Sequence, residues 1–193
     1  MLDFLVNLDE SLFLYLNGLG VSFWDSFWLY LSRTLSGITL PLYFFLLLVT
    51  YKTYGLKKAL IAIVIAIFLL FLTEFLSIIT KNEIGRLRPC YNESLKYKMR
   101  LIKSYCGSKF GYFSAHACNS FALATFFGVL FKKKIFFLVL VIWAFLVSYS
   151  RIYIGVHFPL DVITGIVIGV FFGVLFSTFF FKLISRKLNI NSD

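Results

Sequence analysis

The chain has 193 residues, of which 60% are hydrophobic and 20% aromatic, and its formal net charge is +10 at pH 7. Soluble domains are nearer half apolar, so this composition argues against a soluble protein and indicates an integral membrane protein. It leaves no soluble surface that could dock on a duplex, which argues against nucleic acid as a partner despite the positive charge.

Residues 1–34 are predicted to form amphipathic helices, because aromatic side chains are interspersed with acids along this stretch. Such helices lie in the membrane interface, and whether one of them crosses the bilayer is left open. Acids arrive early, at Asp3, Asp9 and Glu10, without a preceding basic segment, so a cleavable signal peptide is not expected. Residues 35–193 are predicted to form the membrane-embedded domain.

Five apolar runs follow, at residues 35–51, 59–80, 115–131, 135–150 and 158–184. About 20 helical residues cross the hydrocarbon core of a bilayer, so the third and fourth runs are expected to extend into flanking turns. The predicted fold is an all-α integral membrane bundle of five transmembrane helices, or six if the N-terminal region also crosses.

Three basic clusters fall on one side of the membrane if every apolar run crosses it. They are Lys52, Lys57 and Lys58; Lys132, Lys133 and Lys134; and Lys182, Arg186 and Lys187. The positive-inside rule makes this side cytoplasmic, provided that the equally basic loop 81–113 on the other side owes its charge to a chemical role. We therefore expect a multi-pass protein of the inner membrane whose loop 81–113 and stretch 150–157 face the periplasm or exterior.

Three polar segments border the apolar runs on that outer face: KNEIGRLRP (81–89), FSAH (113–116) and SRIYIGVHFPLD (150–161). Lys81, Arg88 and Arg151 can neutralise a phosphate dianion, and a guanidinium group matches two phosphate oxygens. Ser114 precedes a helix start, where its hydroxyl and the free N–H groups form an anion site. The structural alternatives are that the cations only snorkel and that Ser114 is a plain N-cap.

The chain has only two histidines, and both lie in these polar segments. Phosphate transfer needs an in-line nucleophile and an acid that protonates the leaving oxygen. His157 and Asp161 are four residues apart, so the carboxylate can accept the imidazole N–H and orient the ring. We therefore predict His157 as the nucleophile, Asp161 as its orienting partner and His116 as the general acid.

The three segments resemble the motifs of the type 2 phosphatidic acid phosphatase family, in the superfamily of lipid phosphatases and vanadium haloperoxidases. The first motif, Lys, six residues and Arg-Pro, is matched by Lys81, Arg88 and Pro89. The third motif, Ser-Arg, five residues, His, three residues and Asp, is matched by Ser150, Arg151, His157 and Asp161. The second, usually Pro-Ser-Gly-His, is present as Phe113, Ser114, Ala115 and His116.

The resemblance implies a metal-independent hydrolase without a cofactor, which forms a phosphohistidine on His157 that water then hydrolyses. It also implies a phosphate site. The residues expected to form it are Lys81, Arg88, Ser114, Ala115, Ser150 and Arg151. Ala115 departs from the motif, since its methyl group stands where glycine lets the backbone approach the phosphate.

The expected substrate is a lipid that carries a phosphomonoester or a diphosphate, and the expected product is inorganic phosphate. The family resemblance implies undecaprenyl diphosphate, phosphatidylglycerol phosphate, phosphatidate or lipid A phosphate, and the basic loop mildly favours the diphosphate. A phosphotransferase with the same site stays open, as does a non-enzymatic protein that binds or transports lipid phosphates.

Cys90 and Cys106 flank the polar loop and would form a disulfide if that loop faces an oxidising compartment.

Glu74 lies seven residues before Lys81 and is expected to support the catalytic cations rather than to react. A stripe of small residues along the last run favours close helix packing within the bundle, with a homodimer contact as the alternative. Its members are Asp161, Gly165, Gly169 and Gly173. Four cations of the loop are expected either to steer anionic headgroups or to be merely solvated, namely Lys96, Lys98, Arg100 and Lys103.

Overall fold

A computed structural model describes residues 2–33, 39–103 and 106–189 of the chain. These residues form six α-helices and a short 3-10 turn at Pro89–Tyr91, with no β-strand among them. The helices are α1 (Leu2–Gly18), α2 (Ser22–Leu31), α3 (Thr39–Ile84), α4 (Ala115–Phe131), α5 (Lys134–Tyr153) and α6 (Pro159–Asn189). The predicted all-α class is confirmed. Part of the predicted run 35–51 lies outside the described residues, because its first four positions are not among them.

The long helix α3 consists of two limbs that meet at Gly55. This glycine has φ 75° and ψ 170°, a non-helical conformation that L side chains rarely adopt, and the helix is kinked there. Leu46 of the first limb and Ala66 and Leu70 of the second limb line one apolar groove, so the limbs lie side by side. The chain therefore reverses direction at Gly55, and the two limbs correspond to two separately predicted spans.

The helices have the length and composition of a membrane bundle. Three described helical segments are long and apolar enough to cross a bilayer, namely α3, α5 and residues 159–185 of α6, while α4 is a shorter apolar helix of 17 residues. Most of α4 is buried, and Phe126 and Leu130 are fully covered by its neighbours. Outward side chains such as Phe71 and Val167 remain 65% and 63% exposed, as expected for helices that face lipid. The predicted helical membrane bundle is confirmed.

The small-residue stripe of α6 packs against α4 within the chain. A Cβ atom added at Gly165 would lie 2.6 Å from the Ser114 carbonyl oxygen, and one at Gly169 would lie 2.3 Å from that of Cys118. Both distances are too short for a real contact, so glycine permits the close approach of the two helices. The stripe is thus occupied by α4, and a homodimer stays a prediction without an assigned surface.

Helix α1 is docked on the ends of α5 and α6. Asn17 is 1% exposed, and its side-chain amide donates to the carbonyl oxygens of Ile152 and Tyr153 at 3.1 and 2.9 Å. Phe13 is fully buried and meets the ring of Phe158 edge-on, with 5.3 Å between the centroids. The predicted division of the chain at residue 34 stays a prediction, since that residue lies outside the described ranges.

Candidate active site

Four helix ends meet at one end of the bundle, which we call the active-site end. Helices α3 and α5 finish there, and α4 and α6 begin there. The three polar segments predicted from the sequence surround a cavity of about 510 Å³ at this end, which we call the phosphate cavity. Its lining includes Lys81, Arg88, Ala115, His116, Arg151 and His157. Residues from distant parts of the chain, including both imidazoles, therefore line one site.

His157 follows the last turn of α5, and its contacts define which ring nitrogen carries the lone pair. Nη1 of Arg88 lies 3.2 Å from His157 Nε2. A guanidinium group can only donate, so Nε2 accepts and the ring proton resides on Nδ1. Nδ1 lies 3.4 Å from Oδ2 of Asp161, an oxygen that also accepts the Phe158 N–H at 3.0 Å. The lone pair of Nε2 is therefore directed towards Arg88, a cation that is predicted to bind phosphate.

The imidazole of His157 is kept neutral by its surroundings. The residue is 2% exposed. Burial first, and then the positive charges of Arg88, Arg151 and Lys81, lower the pKa of His157 well below its usual value. The neutral form is the one that can attack phosphorus, so these surroundings suit a nucleophile.

Arg88 is held rigidly in the wall of the cavity. It is 7% exposed, and its Nε donates to the Ser108 carbonyl oxygen at 2.7 Å. Its Nη2 donates to the Ser108 hydroxyl at 3.2 Å, and its Nη1 also donates to the Val156 carbonyl oxygen at 3.2 Å. These bonds fix the plane of the guanidinium before substrate binds, which lowers the entropic cost of binding an anion.

Arg151, Lys81 and Lys109 line the cavity together with Arg88, so four cationic side chains surround it. Arg151 is 6% exposed and donates from Nη1 to the Ser32 carbonyl oxygen at 3.2 Å. Its buried Nε has no hydrogen-bond partner among the described residues. A buried donor without a partner is costly, and a phosphate oxygen would satisfy it.

The two motif serines take different positions from the cations. Ser114 is the N-cap of α4, where its hydroxyl oxygen accepts the Ala117 N–H at 3.5 Å. Ser150 donates its hydroxyl to the Val147 carbonyl oxygen at 2.6 Å, within α5. Neither serine is among the described residues that line the phosphate cavity, whereas Ala115 is. Contacts of these serines to phosphate stay predictions.

Two charged residues behind His157 were not singled out from the sequence. Arg86 donates from Nη1 to Asp161 Oδ1 at 2.8 Å and from Nη2 to Asp9 Oδ2. Asp9 belongs to α1, and its other oxygen accepts the Leu160 N–H at 2.9 Å. The chain of contacts His157–Asp161–Arg86–Asp9 thus links His157 to the N-terminal helix. The position of Arg86 between the motif residues Lys81 and Arg88 was the one available signal.

The loop beside the cavity is closed by a disulfide between Cys90 and Cys106, whose Cα atoms are 6.4 Å apart. Ser108, which binds Arg88, follows the second cysteine by two residues. The bridge therefore ties the loop that positions Arg88 to the turn that follows the first motif.

The basic cluster of this loop is partly neutralised by acids. Arg100 Nη2 lies 3.0 Å from both carboxylate oxygens of Asp25, and Lys96 pairs with Glu93. Arg100 and Lys96 thus have acidic partners, which reduces the charge available to steer headgroups. Among the described residues there is no group of three or more His, Cys, Asp or Glu side chains placed to hold a metal ion.

Comparison with known proteins identifies the family. The model of the PAP2 superfamily matches residues 60–185, so the chain belongs to this superfamily. It is therefore a membrane lipid phosphatase of the PAP2 type, a phosphoric ester hydrolase, as the motifs predicted.

Two relatives extend this assignment. A lipid A 4'-phosphatase of Bacteroides thetaiotaomicron is 36% identical over 172 residues, which are 87% of this chain and 75% of that protein. A lipid A 4'-phosphatase of Porphyromonas gingivalis is 30% identical over 169 residues, 86% of this chain and 70% of that protein.

Two crystal structures are similar to the fold. LpxE of Aquifex aeolicus matches with a TM-score of 0.65 and 28% identity, over 86% of this chain and 92% of that chain. The PAP2-type phosphatidylglycerolphosphate phosphatase of Bacillus subtilis matches with a TM-score of 0.71, over 92% of this chain and 87% of that chain. The second match has 20% identity and bears on the fold alone.

Proposed function

We propose that this protein removes a phosphate group from a lipid A-type glycolipid, through a phosphohistidine on His157. The observation that carries the mechanism is the 3.2 Å contact between Arg88 Nη1 and His157 Nε2, which puts the nucleophilic lone pair beside a phosphate-binding cation. The two lipid A 4'-phosphatases favour a phosphorylated glycolipid over the polyprenyl diphosphate that the basic loop mildly favoured.

The reaction proceeds in two displacements at phosphorus. The phosphate dianion binds among Lys81, Arg88 and Arg151, and Nε2 of His157 attacks the phosphorus atom. The bond from phosphorus to the sugar oxygen breaks, and His116 donates a proton to that oxygen. His116 then takes a proton from water as the water attacks the phosphohistidine, which releases inorganic phosphate and restores both imidazoles. Asp161 holds the proton on Nδ1 and stabilises the charge that develops on the ring.

The active-site end is proposed to face the periplasm, in the inner membrane. Lysine side chains concentrate at the opposite end, at the turn between the two limbs of α3 and between α4 and α5. This distribution fits the positive-inside rule. The Cys90–Cys106 disulfide supports the same orientation, because disulfides persist in oxidising compartments.

The test is phosphate release by purified protein in detergent, with EDTA present, from lipid A, phosphatidate, phosphatidylglycerol phosphate and undecaprenyl diphosphate side by side. We expect lipid A to have the highest kcat/KM and EDTA to have no effect. Strict dependence on added metal would exclude the phosphohistidine mechanism, and a higher kcat/KM for any other lipid would exclude the proposed substrate. Radiolabelled phosphate trapped on the protein in alkali should map to His157.

A further inference from the structure

Glu74 lies two helical turns before Lys81 on α3, at the junction of two cavities. One is the phosphate cavity, and the other is a second cavity of about 250 Å³ that shares Glu74 and His116 with it. We call the second one the polar cavity, because hydroxyl and amide side chains contribute to its lining. These include Ser32, Tyr43, Asn119 and Ser120.

The carboxylate of Glu74 is exposed, and one side chain of α4 binds it. Asn119 Nδ2 donates to Glu74 Oε2 at 3.1 Å. The carboxylate only accepts, so Asn119 turns its amide nitrogen towards Glu74 and its Oδ1 towards the Thr73 hydroxyl, 2.6 Å away. Asn119 follows His116 by three residues and so lies on the same face of α4. Glu74 and His116 thus line the same two cavities, and the second carboxylate oxygen of Glu74 has no hydrogen-bond partner among the described residues.

The two cavities and the apolar groove of α3 form a series. The polar cavity lies one to two helical turns further from the active-site end than the phosphate cavity, since Trp143 and Val147 precede Arg151 on α5. The apolar groove shares Tyr43 with the polar cavity. Phosphate-binding, polar and apolar linings therefore follow one another towards the bilayer, in the order of phosphate, sugar and acyl chain in a phosphorylated glycolipid.

His116 protonates the leaving oxygen, so the group that carries the phosphate must lie next to His116 and Glu74. We propose that Glu74 accepts a hydrogen bond from a hydroxyl or amide N–H of this leaving group, and so selects phosphate carried on a sugar over phosphate carried on diacylglycerol. This inference rests on the proposed function. The diacylglycerol of phosphatidate has no hydrogen-bond donor, so a carboxylate at this position would be left desolvated without a new partner.

The experiment compares wild type with Glu74→Gln on two substrates, lipid A and phosphatidate, by inorganic phosphate release in matched detergent micelles. In the variant, the amide oxygen is expected to take the Asn119 N–H, which leaves an NH₂ group facing the donors of the sugar. The ratio of kcat/KM for lipid A to that for phosphatidate should fall about 10-fold or more, the loss expected for a charged hydrogen bond. Glu83→Gln is the matched control, since Glu83 is an exposed acid on the same helix, as Glu74 is, but lines neither cavity, and it should keep the wild-type ratio.

A ratio that Glu74→Gln leaves unchanged, with both substrates affected equally, would overturn the role of Glu74. Wild-type protein that hydrolyses phosphatidate but not lipid A would instead overturn the proposed substrate. If the variant does not fold, wild type is assayed with a glycolipid whose hydroxyl and amide groups near the phosphate are methylated. The same loss in kcat/KM then supports the inference, and an unchanged value refutes it.

Discussion

Arg86→Gln tests the buried charges behind His157. The guanidinium of Arg86 lies between Asp9 and Asp161, whose side chains are 1% and 0% exposed. Its removal leaves two carboxylates that water does not reach, one of them in contact with His157. We therefore expect the variant to lose both stability and activity.

The magnitude follows from the burial of the partners. Removal of one member of a buried ion pair costs about 3–5 kcal/mol, because the remaining charge stays buried without compensation. The side chain of Arg86 is itself 20% exposed, so we expect Arg86→Gln to lower the free energy of unfolding by about 3 kcal/mol, the lower end of this range. Asp9→Asn keeps the pair of Arg86 with Asp161 and an oxygen for the Leu160 N–H, so it should cost about 1 kcal/mol. In the double variant, the carboxylate of Asp161 alone remains buried without Arg86. Its loss of stability should therefore be smaller than the sum of the two single losses, by about 1–2 kcal/mol.

The assay is SDS titration in mixed micelles, with helical circular dichroism giving the free energy of unfolding of wild type, both single variants and the double variant. Arg100→Gln is the matched control, because the Arg100–Asp25 pair has side chains that are 31% and 24% exposed. Such partly solvated pairs contribute about 0–1 kcal/mol. If Arg86→Gln costs no more than Arg100→Gln, or if the two substitutions in the network are additive, the reasoning is refuted.

His157→Ala should abolish phosphate release, while His116→Ala should lower kcat about 10²–10⁴-fold, most of all for poor leaving groups; equal losses on good and poor leaving groups would contradict the assigned acid. Only the neutral ring attacks, and burial lowers the pKa of His157. The acidic limb of the plot of kcat/KM against pH should therefore lie below about pH 6.5, with substrates whose phosphate groups differ in pKa. An acidic limb above that pH would contradict the buried environment of His157. Reduction of the Cys90–Cys106 bridge, whose cysteines are 16 residues apart, should lower the free energy of unfolding by about 3 kcal/mol in the same SDS titration. Cys118→Ala removes the free cysteine and keeps the bridge, so reduction should lower the stability of this variant by the same amount. If reduction has no effect on this variant, the loss does not come from the Cys90–Cys106 bridge.

Much of this protein follows from its sequence. Apolar runs of membrane-spanning length give the helical bundle, because no other backbone arrangement except a closed barrel satisfies its hydrogen bonds within hydrocarbon. The cations and imidazoles of the motifs lie at helix ends on one face, so their convergence on one cavity follows from the alternation of spans. The sequence thus determined Lys81, Arg88, His116, Arg151 and His157 as the residues around the site.

Other features depend on contacts between residues that are far apart in the chain. Asp9 and Arg86 are separated by 77 residues, and Glu74 and Asn119 by 45. Hydropathy and local spacing report which face of a helix is buried, but they carry no information on which distant side chain meets it. Only the tertiary structure decided that the N-terminal helix supplies a carboxylate to Arg86 and that Asn119 binds Glu74, because both pairs arise from the packing of whole helices.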